Sequence, residues 1–217
     1  MAKLINQKNK MKKVIFSAIA VMAFGFANAQ DVKYGLKGAL NVSTFTGDTD
    51  GANLKSRIGF NVGGFVEIKL SEKFALQPEL LYSDQGTKFT NIGDYLDGDF
   101  YTGDIKFNLA YINVPVMAKY YVAEKFSIEA GPQIGFLVSA KTKTKLDGFS
   151  QTVENDIKDS FESIDLGLNF GAGYEFTEHF GIGVRYNVGL ANIAKTEAGD
   201  DTKLHNSVFS FSAAYKF

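Results

Sequence analysis

The sequence predicts an all-β chain: an eight-stranded antiparallel up-and-down transmembrane β-barrel with short periplasmic turns and long extracellular loops. Three observations predict it. Hydrophobicity alternates with a period of two along most of the chain after residue 31, the signature of strands with one apolar face. The alternating segments run to 11–15 residues, longer than the usual strand of about 5–6 and long enough to cross a bilayer. The connections between them alternate between short and long, the layout of outer-membrane barrels.

The strands follow in order. Val32–Ser43 places Val32, Tyr34, Leu36, Leu40 and Val42 on one face and Lys33, Lys37, Asn41 and Ser43 on the other. Ile58–Leu70 sets Ile58, Phe60, Val62, Val66, Ile68 and Leu70 against Asn61, Glu67 and Lys69. Phe74–Gln85 sets Phe74, Leu76, Pro78, Leu80 and Tyr82 against Gln77, Glu79 and Ser83. Asn108–Val122, Phe126–Ala140, Ile164–Phe176 and Phe180–Leu190 continue the pattern. In Ser207–Phe217 the phase switches, and Phe209, Phe211, Ala213, Tyr215 and Phe217 form the apolar face. A soluble lipocalin-type barrel shares this alternation with its faces reversed. The strand lengths and the Gly, Asn and Ser on the polar face favour apolar faces toward lipid and polar faces toward a crowded lumen.

The short turns repeat. Ser71-Glu72-Lys73-Phe74, Ala123-Glu124-Lys125-Phe126 and Thr177-Glu178-His179-Phe180 lie 52 and 54 residues apart, as expected of a hairpin-built barrel. Each Phe falls where a periplasmic aromatic girdle forms. The long connections are Thr44–Arg57, Thr87–Phe107, Lys141–Ser163 and Ala191–Asn206. Pro78, Pro115 and Pro132 fall inside consecutive strands. Pro removes a ladder donor, so bulges or bends are expected there.

Lys12 and Lys13 precede an apolar run, Val14–Phe26, and the small residues Ala27-Asn28-Ala29 follow. This is the three-part pattern of a secretory signal peptide. It predicts a leader over 1–29, a barrel domain over 30–217 and an outer-membrane location. Translation starting at Met1 or at Met11 fits this pattern equally well. Removing the leader takes five Lys and no acid and leaves a net charge of −6. The whole chain has 217 residues with 23 basic and 24 acidic side chains, so no basic footprint points to nucleic acid. The absence of Cys excludes disulfides, thiolate–metal sites and cysteine catalysis. Two His leave little for a histidine-built zinc site.

Several stretches resemble the PorT-like small outer-membrane β-barrel family of Gram-negative bacteria, the outer membrane protein beta-barrel domain. They are Gln77-Pro78-Glu79-Leu80-Leu81-Tyr82-Ser83, the run Tyr111–Tyr120, Glu129–Gly135, Gly171–Phe176 and Arg185-Tyr186-Asn187. The resemblance spans the chain beyond the leader and implies fold and location. The family pattern places an acid where Asn113 stands. Phe217, with Tyr215 two residues earlier, looks like the signal read by the outer-membrane assembly machinery. The resemblance also raises an accessory role in a secretion or envelope-assembly system.

An eight-stranded barrel is just wide enough for side chains to fill it, so charges inside must pair. Parity points Glu67, Lys69, Glu79, Lys119, Glu129, Asp165, Glu175 and Arg185 inward. Symmetric closure of the Ala123–Lys125 turn sets Lys119 opposite Glu129 as an internal ion pair. The mixed signs predict a plugging network rather than a selective pore.

Chemistry is sparse elsewhere. His179 falls in a periplasmic turn. His205 lies near Asp200, Asp201 and Ser207, a cluster that nothing independent marks as catalytic. Gly47–Gly51 and Gly93–Asp99 look like fragments of calcium loops but lack the ligand spacing and closing Glu. No cofactor is expected. Lys141, Lys143 and Lys145 alternate with Thr, either as a solvated strand extension or facing lipopolysaccharide phosphates. The expected partners are outer-membrane lipid, lipopolysaccharide and the assembly machinery. The expected function is a non-enzymatic outer-membrane scaffold for extracellular loops in binding or envelope contact. The alternatives are the secretion or envelope-assembly accessory and a narrow channel or lipid-active barrel enzyme.

Overall fold

The computed structural model describes residues 32–49, 54–96, 99–147, 152–196 and 201–217. The predicted leader lies outside them. Among the described residues nine strands are formed: β1 (Val32–Gly47), β2 (Leu54–Lys69), β3 (Phe74–Leu96), β4 (Asp99–Ala123), β5 (Phe126–Leu146), β6 (Thr152–Asp156), β7 (Ile164–Glu175), β8 (Phe180–Gly189) and β9 (Leu204–Lys216). Each antiparallel pair is sequence-adjacent except β5–β7 and β1–β9. The pairing runs β4-β3-β2-β1-β9-β8-β7-β5 and closes through β4–β5. Eight strands therefore form the barrel, and β6 pairs only with the outer end of β5.

The apolar faces turn outward. Tyr34, Leu36, Leu40, Phe60, Val62, Phe170, Ile182 and Phe211 are exposed, while Asn41, Glu67, Glu79, Asn169 and Asn206 are buried. In water such a surface would be an aggregation site; in a bilayer it is the face that belongs toward lipid. Phe74, Phe126 and Phe180 stand exposed after the short turns. Phe74 packs on Tyr120 at 4.8 Å and Phe176 stacks on Phe180 at 6.0 Å, so aromatic rings meet across the β3–β4 and β7–β8 seams.

The eight expected barrel strands are all present, and β6 is an addition outside the closed ring. Other expectations need correction. The strands reach further outward than the alternation implied. The connections Thr87–Phe107 and Lys141–Ser163 are in large part ladder: β3 and β4 pair to Leu96↔Asp99, and β5 pairs with β6 through Lys141↔Asp156 to Lys145↔Thr152. Beyond the bilayer both faces of a strand are polar, so the alternation fades while backbone pairing continues. The turn after β4 closes on Ala123↔Phe126 with a register shift beside Tyr121, not symmetrically. From Tyr121↔Ser127 inward the expected register is kept, including Lys119↔Glu129.

The prolines make no register shift. Pro78, Pro115 and Pro132 pair with Val116, Gln133 and Leu168, and the register is the same on both sides of each. Ladder pairs are instead skipped beside them, at 79–80 of β3 and 116–117 of β4. The missing N–H removes a bond without inserting a residue. The bulges lie elsewhere, at Ser56/Phe60, Phe89/Ile92 and Ala110/Tyr111.

Gly86 has φ +140°, and a β-carbon there would collide with the Phe107 carbonyl. G86V should destabilise the barrel by about 1–3 kcal/mol, read as a lower urea midpoint for the folded band on an unheated detergent gel.

Candidate functional site

The lumen is layered. At the periplasmic end, Glu67 of β2 accepts from Lys119 Nζ at 2.6 Å and from Lys216 Nζ at 2.7 Å. Lys216 also reaches Glu175 at 2.6 Å, and the Tyr121 hydroxyl donates to Glu175 at 2.8 Å. Lys119 lies 5.2 Å from the Tyr121 ring centroid and Lys69 6.0 Å, within cation–π range.

The next layer centres on Glu79, whose side chain is 0% exposed. Arg185 forks onto it, Nη1 to Oε2 and Nη2 to Oε1, both at 2.8 Å. The same guanidinium donates through Nε to Glu129 Oε1 at 2.8 Å. Lys37 at 3.3 Å and Gln77 at 2.7 Å complete the shell of Glu79. Counting the ion-paired groups of both layers, Lys37, Lys119, Arg185 and Lys216 stand against Glu67, Glu79, Glu129 and Glu175, with the half-buried Lys69 beside Tyr121 at the rim. That balance is what a low-dielectric interior requires.

Above the charges lies an amide layer. Asn61 donates to Asn41 Oδ1 at 2.7 Å, Ser210 to the same atom at 2.8 Å, and Asn41 to Ser83 at 3.1 Å. Across the lumen Asn187 donates to Asn169, and Asn169 to Gln133. A cavity of about 30 Å³ lies among these side chains, roomy and polar enough to hold water. Asn113 lines it, together with Lys37 and Arg185 from the charged layer below.

The outer end of the lumen is apolar. Phe45, Leu109, Tyr111, Leu137, Ala140, Phe161 and Ile193 form one buried cluster. Phe161 and Ile193 come from the connections flanking β7 and β8, tied by the Phe161↔Ala194 bridge and by Glu162 N–H donating to the Ile193 carbonyl at 2.8 Å. The inward face becomes apolar where the connections fold in, because they bring their own side chains to cover it.

The predicted residues are thus brought together unevenly. Glu67, Lys119 and Glu175 share one layer, and Glu79, Glu129 and Arg185 the other. Lys119 is directly opposite Glu129, but its ion partners are Glu67 and Glu175, the latter at 3.6 Å; Glu129 pairs with Arg185 at 2.7 Å. Strand tilt and long side chains carry each charge past its directly opposed neighbour. Asp165 stands apart near the apolar end, where its Oδ2 accepts from Asn206 at 2.8 Å. Its Oδ1 is buried and has no partner. Lys37 and Lys216 were not singled out from the sequence, although both lie at inward parity in the first and last strands. Tyr215 and Phe217 face outward at the periplasmic rim, with ring centroids 5.4 Å apart.

The histidines take local roles. His179 Nδ1 lies 2.9 Å from the Lys216 carbonyl and its ring stacks on Tyr215. His205 Nδ1 lies 2.8 Å from the Ala191 carbonyl. Among the described residues no group of three acidic or histidine side chains is placed to hold a metal. Of the calcium-like fragments, Asp50 and Asp97 lie outside the described residues.

Residues 27–195 match the family of the outer membrane protein beta-barrel domain. The chain belongs to that family and is an outer-membrane β-barrel protein. No curated protein matches it. Among solved structures it is similar to Neisserial surface protein A, with 14% identity over 87% of this chain and all of that one, TM-score 0.50. It is also similar to Ail, the attachment invasion locus protein of Yersinia pestis, seen in complex with the heparin analogue sucrose octasulfate. The identity is 15% over 87% and 100%, TM-score 0.46. OprG from Pseudomonas aeruginosa shares 16% identity over 88% and 97%, TM-score 0.40. At these identities the likeness is one of fold. The PorT-like assignment is narrower than the family shown.

R185M leaves Glu129 without its ion partner and the buried Glu79 with Lys37 alone, and should cost on the order of 3–5 kcal/mol. E79Q/R185M together should cost less than the sum of the two single changes, measured by a double-mutant cycle of urea midpoints in micelles.

Proposed function

We propose that this protein is a closed, non-enzymatic barrel whose working surface is its extracellular end, in binding or envelope contact. The observation that carries this reading is the layered lumen. Two balanced ion-pair layers, an amide layer and an apolar cap stand in series along its axis. A barrel of eight strands has no spare width around such a filling, and an ion would have to displace paired charges to pass. What remains for function is the rigid outward extension of β3–β4 and β5–β6, where binding residues are commonly carried on a scaffold. Tyr215 and Phe217 fit recognition by the assembly machinery, and the leader pattern fits export. Both belong to delivery rather than to activity.

A second reading, an accessory role in secretion or envelope assembly, is favoured only by the PorT-like stretches around Gln77–Ser83 and Tyr111–Tyr120. It predicts co-purification with large envelope complexes after mild crosslinking, and isolation of the barrel alone would count against it.

The refolded protein should leave planar bilayers silent at neutral pH. Steady conductance steps from the unaltered chain would refute the closed-barrel reading.

The outer hairpin offers an independent check on the extracellular surface. Hydrogen bonds from Lys141 and Lys143 hold the Glu154 carboxyl below its ordinary range, and the Glu154 bond raises Lys141. A depressed acid contributes stability that is present above its unfolded value and lost as pH falls through the folded one. A raised Lys contributes below its unfolded value and loses it as pH rises further. The β5–β6 hairpin should therefore be protected at neutral pH and become more protease-sensitive under acid, with the difference shrinking in high salt. Limited proteolysis of whole cells checks this.

A further inference from the structure

Backbone register places four lysines in one row across four adjacent strands. Lys55 of β2 is opposite Lys88 of β3, Lys88 opposite Lys106 of β4, and Lys106 opposite Lys143 of β5. Directly opposed residues share a face, and like charges so placed destabilise a sheet. At the usual strand spacing the row is about 14 Å long. Lys141 and Lys145 flank it on β5, opposite Asn108 and Asp104.

The described acids nearby offset only part of this charge. Asp104 pairs with Lys88 at 2.6 Å, and Glu154 with Lys141 and Lys143 at 2.6 and 3.1 Å. Asp156 is opposite Lys141. Six lysines thus face three acids. The field is felt locally: the Asp104 carboxyl is held below its ordinary range, first by the hydrogen bond from Lys88 and then by the charges of Lys88, Lys55 and Lys106.

Position decides which anion this surface meets. On β4 the outward residues run Val122, Tyr120, Ala118, Val116, Val114, Ile112 and Ala110, then Asn108 and Lys106. The row therefore stands two outward positions beyond the apolar belt, on the barrel wall rather than at a loop tip. Lysine stems can lie along that wall with their ammonium groups at head-group height.

From this juxtaposition we infer that the row binds the phosphates of a phosphorylated glycolipid in the outer leaflet. A head group carrying more than one phosphate supplies the counter-charge that the row lacks. This inference rests on the preceding reading only in taking the long hairpins as extracellular.

The test uses the full-length chain refolded in zwitterionic micelles and fluorescently labelled bisphosphorylated lipid A as probe. K55Q/K106Q/K143Q should weaken binding by at least ~10-fold, while K73Q/K125Q, with two like changes at the periplasmic rim, should not. Dephosphorylated lipid A should bind weakly to the unaltered chain, and added salt should weaken the phosphorylated probe. A heat-shifted gel band shows that each variant is folded. Unchanged binding by the folded triple variant, or equal binding of the dephosphorylated lipid, overturns the inference. So does equal competition by a soluble phosphorylated saccharide without acyl chains. None of these outcomes bears on whether the barrel conducts, so the closed-barrel reading fails or stands by its own measurement.

Discussion

The fork between Arg185 and Glu79 is the contact on which the interior depends. Glu79 has no exposure, and a carboxylate so enclosed persists as an ion only if its lone pairs are occupied by donors. Arg185 fills both oxygens from β8, across the barrel from β3. Its remaining edge then serves Glu129 on β5. One planar side chain thereby ties three strands that are not neighbours in the sheet. Gln77 and Lys37 complete the shell. The charges in the layer below follow the same logic with lysines, whose point charges bridge Glu67 and Glu175 without a fork.

This arrangement reconciles two demands that oppose each other. The outer face must be apolar to sit in lipid, so the pleat sends the polar residues inward. Eight strands leave little room for water to solvate them. The chain answers with side chains that satisfy one another in layers of decreasing polarity, ending in Phe45, Leu137, Phe161 and Ile193. The last two are supplied by connections rather than by barrel strands, so covering the lumen and ordering the outer loops are one packing event.

Most of the architecture was legible in the sequence because a membrane strand has a strict period and the short turns repeat. The periplasmic ends of the strands agree with the pattern to within a residue. The outer ends do not, since alternation reports on the lipid boundary and not on where backbone pairing stops; β6 and the β3–β4 extension lie beyond that boundary. Inward parity placed Glu67, Glu79 and Arg185 correctly in the lumen. It did not give their partners, because ion pairs form across the lumen between distant strands while parity speaks only of faces. Lys119 illustrates this: its directly opposed residue is Glu129, yet its charge is met by Glu67. The apolar cap was hidden for a similar reason, since Phe161 and Ile193 lie outside any period.

Lys216 lies at the periplasmic end of β9, and it belongs to the layer shared by Glu67 and Glu175. Those two acids sit on strands made earlier, and one of their two lysines arrives only when β9 docks between β8 and β1. Until then Glu67 lacks one of its two lysines and Glu175 its nearer one. Closing the sheet and completing that layer are therefore the same step. The final seam gains an electrostatic latch in addition to its ladder, and a cylinder lacking its last strand is penalised beyond the backbone bonds it has yet to make.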